Sequence, residues 1–234
     1  MKHEYSLPYL LLKPLLDQLP SELQFLNSDH VVMVSGITLL LLIALPLLGR
    51  SLRPEKRSIM QQMLEVLYDA IRGMVGANVH RGASRHFTII GAFAVTIFLF
   101  NSIGALPLLT SPTPYLSTTF ALAIASFVYY NFQGFRQHGA VGYARHFMGP
   151  VLALAPIMFV SELISHFARL LSLSLRLSGS MSADHVVVGA FTILFPLGLP
   201  APMVALGLLM AGLQTFIFIM LSTIYISGAV AEEH

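Results

Sequence analysis

Neither cysteine nor tryptophan occurs in the 234 residues, and only 10% of them are Asp, Glu, Lys or Arg. Without cysteine the chain can form no disulfide and no thiolate-ligated metal site. The scarcity of charge excludes an ordinary soluble domain, in which roughly a quarter of residues are charged. A small basic excess sets the pI near 9.0, yet no basic run has the layout of a nucleic-acid surface, so nucleic acid is excluded as a partner. No soluble domain, low-complexity tract or internal repeat interrupts the chain, and no cofactor or metal is expected.

Apolar sequence is abundant instead, at 56% of residues with a mean hydropathy of +0.76. The expected fold is all-α, a polytopic membrane domain filling residues 1–234. Residues 1–30 carry Lys2, Glu4, Pro8, Pro14 and Pro20 and lack the layout of a cleavable signal peptide. They read as a short amphipathic or irregular arm on the outer side.

About five membrane helices are expected, with one interfacial helix. Residues 31–49 form a first span, close to the ~20 residues that cross the hydrocarbon, followed at once by Arg50, Arg53, Lys56 and Arg57. Short loops rich in Lys and Arg stay cytoplasmic, which places the N-terminus outside. Over residues 54–83, Ile59, Met63, Val66, Leu67, Ala70, Met74 and Val75 recur at helical spacing between Glu65, Asp69 and Arg72, predicting an amphipathic helix at the cytoplasmic interface. Residues 87–109 and 115–135 are a second and third span, joined by an uncharged link at 110–114 and followed by a second cytoplasmic basic loop with Arg136, His138, Arg145 and His146. Residues 150–196 are too long for one ordinary crossing. A continuous helix of that length runs ~70 Å, so it must kink, break or tilt strongly. Residues 201–230 return the chain, placing the C-terminus in the cytoplasm.

Arg176 lies within the long segment 150–196. A guanidinium stays charged at physiological pH, and inside a bilayer it costs about 2.5–3.5 kcal/mol on translocon scales. An ionisable residue there points to an ion path, a proton relay or a counter-ion. Glu162, Arg169 and Arg176 are seven residues apart and drift only ~20° per heptad, so they share a face. Around Arg176 the helical neighbours Ser172, Gly179, Ser180 and Ala183 are small, which lets another helix approach. Leu173, off that face, is expected to tolerate enlargement. The plain alternative is that Arg176 pairs with a carboxylate to hold the bundle together.

Asp184 and His185 are adjacent titratable groups in apolar surroundings. They form either a separate wet path or a satisfied pair near the outer end. Gly207, Ala211, Gln214, Phe218 and Tyr225 fall near one face of the last segment, where Gln214 could orient Arg176 from the opposing helix or tie the two helices together. Ser165 and His166 add polar atoms beside Glu162. His30, His80, His86, His138 and His146 are expected near the interfaces, solvated.

The run from Pro156 through Glu162, Ser165, Arg169, Ser172 and Arg176 to Gly179 resembles the signature of subunit a of F-type ATP synthases. Leu213-Gln214-Thr-Phe-Ile-Phe, the closing run Tyr225 to His234, and Phe100-Asn101-Ser-Ile-Gly104-Ala-Leu-Pro107 resemble other parts of the same family. The resemblance implies a non-catalytic stator subunit in a bacterial inner membrane. It would face a rotor ring of hairpin subunits, each with one carboxylate, and be held by b-type peripheral-stalk subunits. By position Arg176 resembles the family's essential arginine and Gln214 its partner. Glu162 and Ser165 resemble a cytoplasmic path, His185 an outer relay beside Asp184, and Ser172, Gly179 and Ser180 the support facing the rotor. The transported ion would be H⁺ or Na⁺. The resemblance also implies that the last two helices form a strongly tilted hairpin. Departures are Ser178 and Ser180, where Phe and Asn are common, Gly207 and His185, where a titratable residue and Glu are common, and Tyr115 and Ser117 in place of Asp and Asn.

Two other classes fit less well. A hydrolase using Ser180, His185 and Asp184 lacks the orienting geometry, since Ser180 and His185 lie about 140° apart on a helix. An independent secondary transporter would show inverted repeats, and none is visible.

Overall fold

Backbone N–H and C=O groups have no water partners in hydrocarbon, so apolar runs of this length fold as helices that satisfy themselves. A computed structural model describes residues 6–17, 28–51, 59–79, 83–105, 109–148, 155–194 and 200–230. Among them the chain forms α1 (Leu7–Leu16), α2 (Asp29–Ser51), α3 (Ile59–Asn78), α4 (Ala83–Ser102), α5 (Leu116–Met148), α6 (Ala155–Leu194) and α7 (Pro200–Val230), with a 3-10 turn at Ile103–Ala105 and no strand. Arg53, Lys56, Arg57 and His80, the turn at Pro196 and the closing Glu232-Glu233-His234 lie outside the described residues.

Helices α2, α4, α6 and α7 are long and apolar enough to cross a membrane. The span expected at 115–135 is long enough but less apolar than these four. Its polar residues point inward: Thr119, Ser126 and Gln133 are buried, and Ser126 Oγ donates to Ser222 Oγ of α7 at 3.0 Å. The bundle, rather than lipid, receives that face.

The structure corrects the cytoplasmic loop expected after residue 135, because α5 continues to Met148. Gly139 breaks its helical course with φ 71° and ψ 171°, a backbone region essentially confined to glycine. The helix is interrupted at that residue, and the chain bends there between two helical stretches. A second correction concerns His86, which is buried rather than solvated; its Nδ1 lies 3.0 Å from the Tyr129 hydroxyl.

Helix α6 has 40 residues with no proline beyond its first turn and no non-helical residue, a length of about 60 Å. No kink or break shortens it, so it is about twice as long as roughly 30 Å of hydrocarbon. It packs on α5 and α7, while α4 packs on α7 and α3. Val75, Ile90, Ile97, Ala123, Leu177, Phe218 and Ile226 form the common core. Met33, Ile37 and Leu41 of α2 meet Phe100 of α4 in a smaller cluster, leaving Leu39, Leu40 and Leu42 exposed outward. Helix α3 is tied to the bundle where Ser227 Oγ donates to the Asn78 carbonyl at 2.6 Å.

Candidate functional site

Helix α6 carries three polar stations, and its neighbours make each one different. Central on its outward face is Arg176, exposed together with Ser172 and Gly179 and flanked by exposed Leu171 and Leu175. Among the described residues Arg176 forms no ion pair and no hydrogen bond. The serines around it are satisfied within the helix, since Ser172 Oγ donates to the Arg169 carbonyl at 3.1 Å and Ser180 Oγ to the Leu177 carbonyl at 3.2 Å. A Cβ on Gly179 would meet no atom within 4 Å. This face is small, open and positively charged.

The opposite side of α6 is fixed. Leu173 and Leu177 are core residues, so the expectation that Leu173 tolerates enlargement is corrected: close-packed interiors resist added volume. Ser178 Oγ donates to the Pro114 carbonyl at 3.0 Å, and Ser182 Oγ lies 3.5 Å from the same acceptor. A phenylalanine at 178 could not make that bond, which gives this departure a local purpose.

Toward its N-terminus, α6 places Glu162, His166 and Arg169 in one cluster. Glu162 Oε1 lies 3.4 Å from Arg169 Nη2 and 3.3 Å from His166 Nδ1, and the Arg169 guanidinium sits 5.5 Å from the Tyr225 ring centroid. Arg169 is thus compensated by a carboxylate and a π face, whereas Arg176 is not. A cavity of about 130 Å³ opens beside the cluster, lined also by Tyr130, Tyr143 and Gly228. Ser165, partly exposed, is not among the lining residues. Sequence reasoning missed Tyr130 and Tyr143. The bend at Gly139 returns Tyr143 to α5, where its hydroxyl donates to Asn131 Oδ1 at 2.9 Å. Its ring occupies the space that a Cβ on Gly134 would need.

The third station lies toward the C-terminal half of α6. Asp184 and His185 border a cavity of about 40 Å³ with Asn101, Gly104, Met181 and Gly207. Two glycines make the space. A Cβ on Gly207 would stand 2.9 Å from Asp184 Oδ2, and one on Gly104 would stand 3.0 Å from His185 Cε1. Gly207 therefore clears room for a carboxylate that α6 supplies. Asn101 is 3% exposed, and among the described residues neither atom of its amide has a hydrogen-bond partner. An unpaired buried amide costs about 1–3 kcal/mol, and a cavity of this size admits water. Asn101 was visible as an amide within an apolar span, though nothing in the sequence aimed it at Asp184. Ser180 does not line this cavity, so the Ser180, His185 and Asp184 set considered from the sequence does not come together there.

Gln214 is buried on α7, on the inward face with Ala211 and Phe218. No hydrogen bond joins it to Arg176 among the described residues. The described residues contain no cluster of three or more His, Asp or Glu able to hold a metal.

Comparison with known proteins identifies relatives along most of the chain. The family model described as ATP synthase A chain matches residues 31–227. The chain is 35% identical to the ATP synthase subunit a of Bdellovibrio bacteriovorus over 181 residues, covering 77% of this chain and 79% of the relative. It is 43% identical to ATP synthase subunit a 2 of Syntrophotalea carbinolica over 175 residues, 75% and 74% of the two chains. Against the subunit a of a Sulfurihydrogenibium species the identity is 35% over 210 residues, covering 88% of this chain and all of the relative.

Proposed function

This chain belongs to the ATP synthase A chain family, a non-catalytic, ion-translocating stator subunit of the membrane sector, and from that premise we propose how its residues do the work. Arg176 is the fixed charge that faces the carboxylates of the rotor ring and separates two access paths. The observation that carries the reading is that, among the described residues, this guanidinium has no partner on an open face of small residues within the apolar window of α6. Such a charge calls for an external anion. At ~4 Å and an effective dielectric of 20, a guanidinium and a carboxylate attract by about 4 kcal/mol, enough to favour loss of the proton from the ring carboxylate that arrives there.

The other stations supply the paths. Ions enter from outside at the Asn101, Asp184 and His185 cavity and neutralise a ring carboxylate. After the ring turns they leave past Glu162 and its cavity toward the cytoplasm. Two features support this order. The interfacial helix α3 and the C-terminal end of α7 meet near the Glu162 cluster through the Ser227 and Asn78 bond. The 110–114 link, expected outside, meets the other half of α6 at Ser178 and Ser182. In this multi-pass bacterial inner-membrane protein the N-terminus is then outside and the C-terminus cytoplasmic, with b-type subunits anchoring it. One charge crossing 100 mV yields about 2.3 kcal/mol, so several ions must be summed by rotation for each ATP.

Replacing Arg176 tests this directly in the intact complex in inverted membranes. Arg176→Ala should abolish ATP-driven proton pumping while the subunit still inserts. Arg176→Lys should nearly do so, because an ammonium lacks the planar fork and can lose its proton when desolvated. Wild-type pumping by Arg176→Ala would return the arginine to a structural role.

A further inference from the structure

The cavity beside Glu162 contains one polar group that packing does not explain. Tyr130 is 2% exposed, and its ring is held by Phe127 at 5.3 Å, His166 at 5.7 Å and Tyr225 at 5.9 Å between centroids. A phenylalanine would make all of those contacts. Among the described residues no hydrogen bond of normal geometry reaches the hydroxyl, although the Asn131 side chain lies close enough to interact with it. That amide makes two other bonds, its Nδ2 donating to the Phe127 carbonyl at 2.8 Å and its Oδ1 accepting from Tyr143 at 2.9 Å. Buried hydroxyls are almost always satisfied, and the cavity they share, about 130 Å³, has room for several waters.

Resting on the function proposed above, we propose that Tyr130 is a further residue of the cytoplasmic ion path, its hydroxyl anchoring the water through which protons pass to and from Glu162. The two other hydrogen-bonding groups nearest this task are committed. Tyr143 has spent its proton on Asn131, and Glu162 Oε1 faces Arg169 and His166. The Tyr130 hydroxyl carries both a donor and an acceptor, so it can accept from one water and donate to the next. The phenol is not ionised in the step. The proton moves along the water, and each hop leaves the Tyr130 O–H bond intact.

Tyr130→Phe is the direct test, because it removes one oxygen and keeps the ring. In the intact complex reconstituted in liposomes, ATP-driven proton uptake and passive conduction through the membrane sector should both slow by about fivefold, the effect of one lost hydrogen bond. The double variant with Glu162→Gln should be no slower than Glu162→Gln alone, since both act on one path. A merely structural tyrosine would give an additive loss. Wild-type rates in Tyr130→Phe, or additivity with Glu162→Gln, would overturn the inference. The Arg176→Ala result stands apart: pumping in that variant refutes the functional reading whatever Tyr130 does, and its loss with wild-type Tyr130→Phe refutes this inference alone.

Discussion

Substituting leucine for Gly179 separates what α6 needs for folding from what it needs for coupling. In the subunit a Cβ at this position meets nothing within 4 Å, so the larger side chain has open space. Relieving a mid-helix glycine even favours the helix by somewhat under 1 kcal/mol. The cost falls only where another helix approaches. Overpacking a close interface typically costs 1–3 kcal/mol, which corresponds to roughly 5- to 150-fold in rate. It would also move the guanidinium, three residues away on the same face, from the ring carboxylate. Gly179→Leu should therefore insert at wild-type levels and retain ATP hydrolysis by the complex, yet lose ATP-driven proton pumping by one to two orders of magnitude. Quenching of a pH-sensitive dye in inverted vesicles, with immunoblots of the assembled complex, measures both. Normal pumping would refute the reasoning, as would loss of the subunit from the membrane. Leu173→Phe is the contrasting case: it enlarges a core residue 3% exposed and should reduce the amount of assembled subunit.

At the outer cavity, Gly207→Leu should displace the Asp184 carboxylate, which lies 2.9 Å from the site of a Cβ, at a similar overpacking cost, slowing proton uptake from the outer side while leaving assembly intact; unchanged rates would count against Asp184 as a path residue. Because the chain has no cysteine of its own, single cysteines report sidedness without background. A membrane-impermeant thiol reagent should reach position 162 from the cytoplasm and position 185 from outside, and the reverse pattern would contradict the path order. Glu162→Gln and His185→Ala should each slow pumping without eliminating it, since water can partly bypass a relay.

Most of the helix plan was legible because hydrocarbon leaves an apolar run few options. The spans at α2, α4, α6 and α7 followed from length and hydropathy, and the excess length of α6 already demanded tilt or a break. What misled was charge. Arg136, His138, Arg145 and His146 read as a loop, whereas the backbone keeps helix on both sides of Gly139 and takes its bend in one residue that only glycine accommodates. Arg176 stood out as a charge in an apolar segment. Its lack of a partner among the described residues is a tertiary fact: Glu162 is taken by Arg169, one heptad along, and lies ~21 Å from Arg176 along the helix, out of reach. The cavities were less visible still, because they depend on atoms that are missing. Gly104 and Gly207 matter through the side chains they lack, and Asn101 and Tyr130 through bonds that no described residue supplies.

The central claim, that the Arg176 face meets the rotor, is tested most directly by disulfide formation. Ser172 lies one helical turn from Arg176 on the exposed face, and Ser182 faces the Pro114 carbonyl on the other side of α6. In the assembled complex, Ser172→Cys should crosslink under mild oxidation to a cysteine placed beside the ring carboxylate, stop rotation-dependent pumping, and release it on reduction, while Ser182→Cys gives no product. No crosslink from position 172, or an equal yield from position 182, would contradict the account.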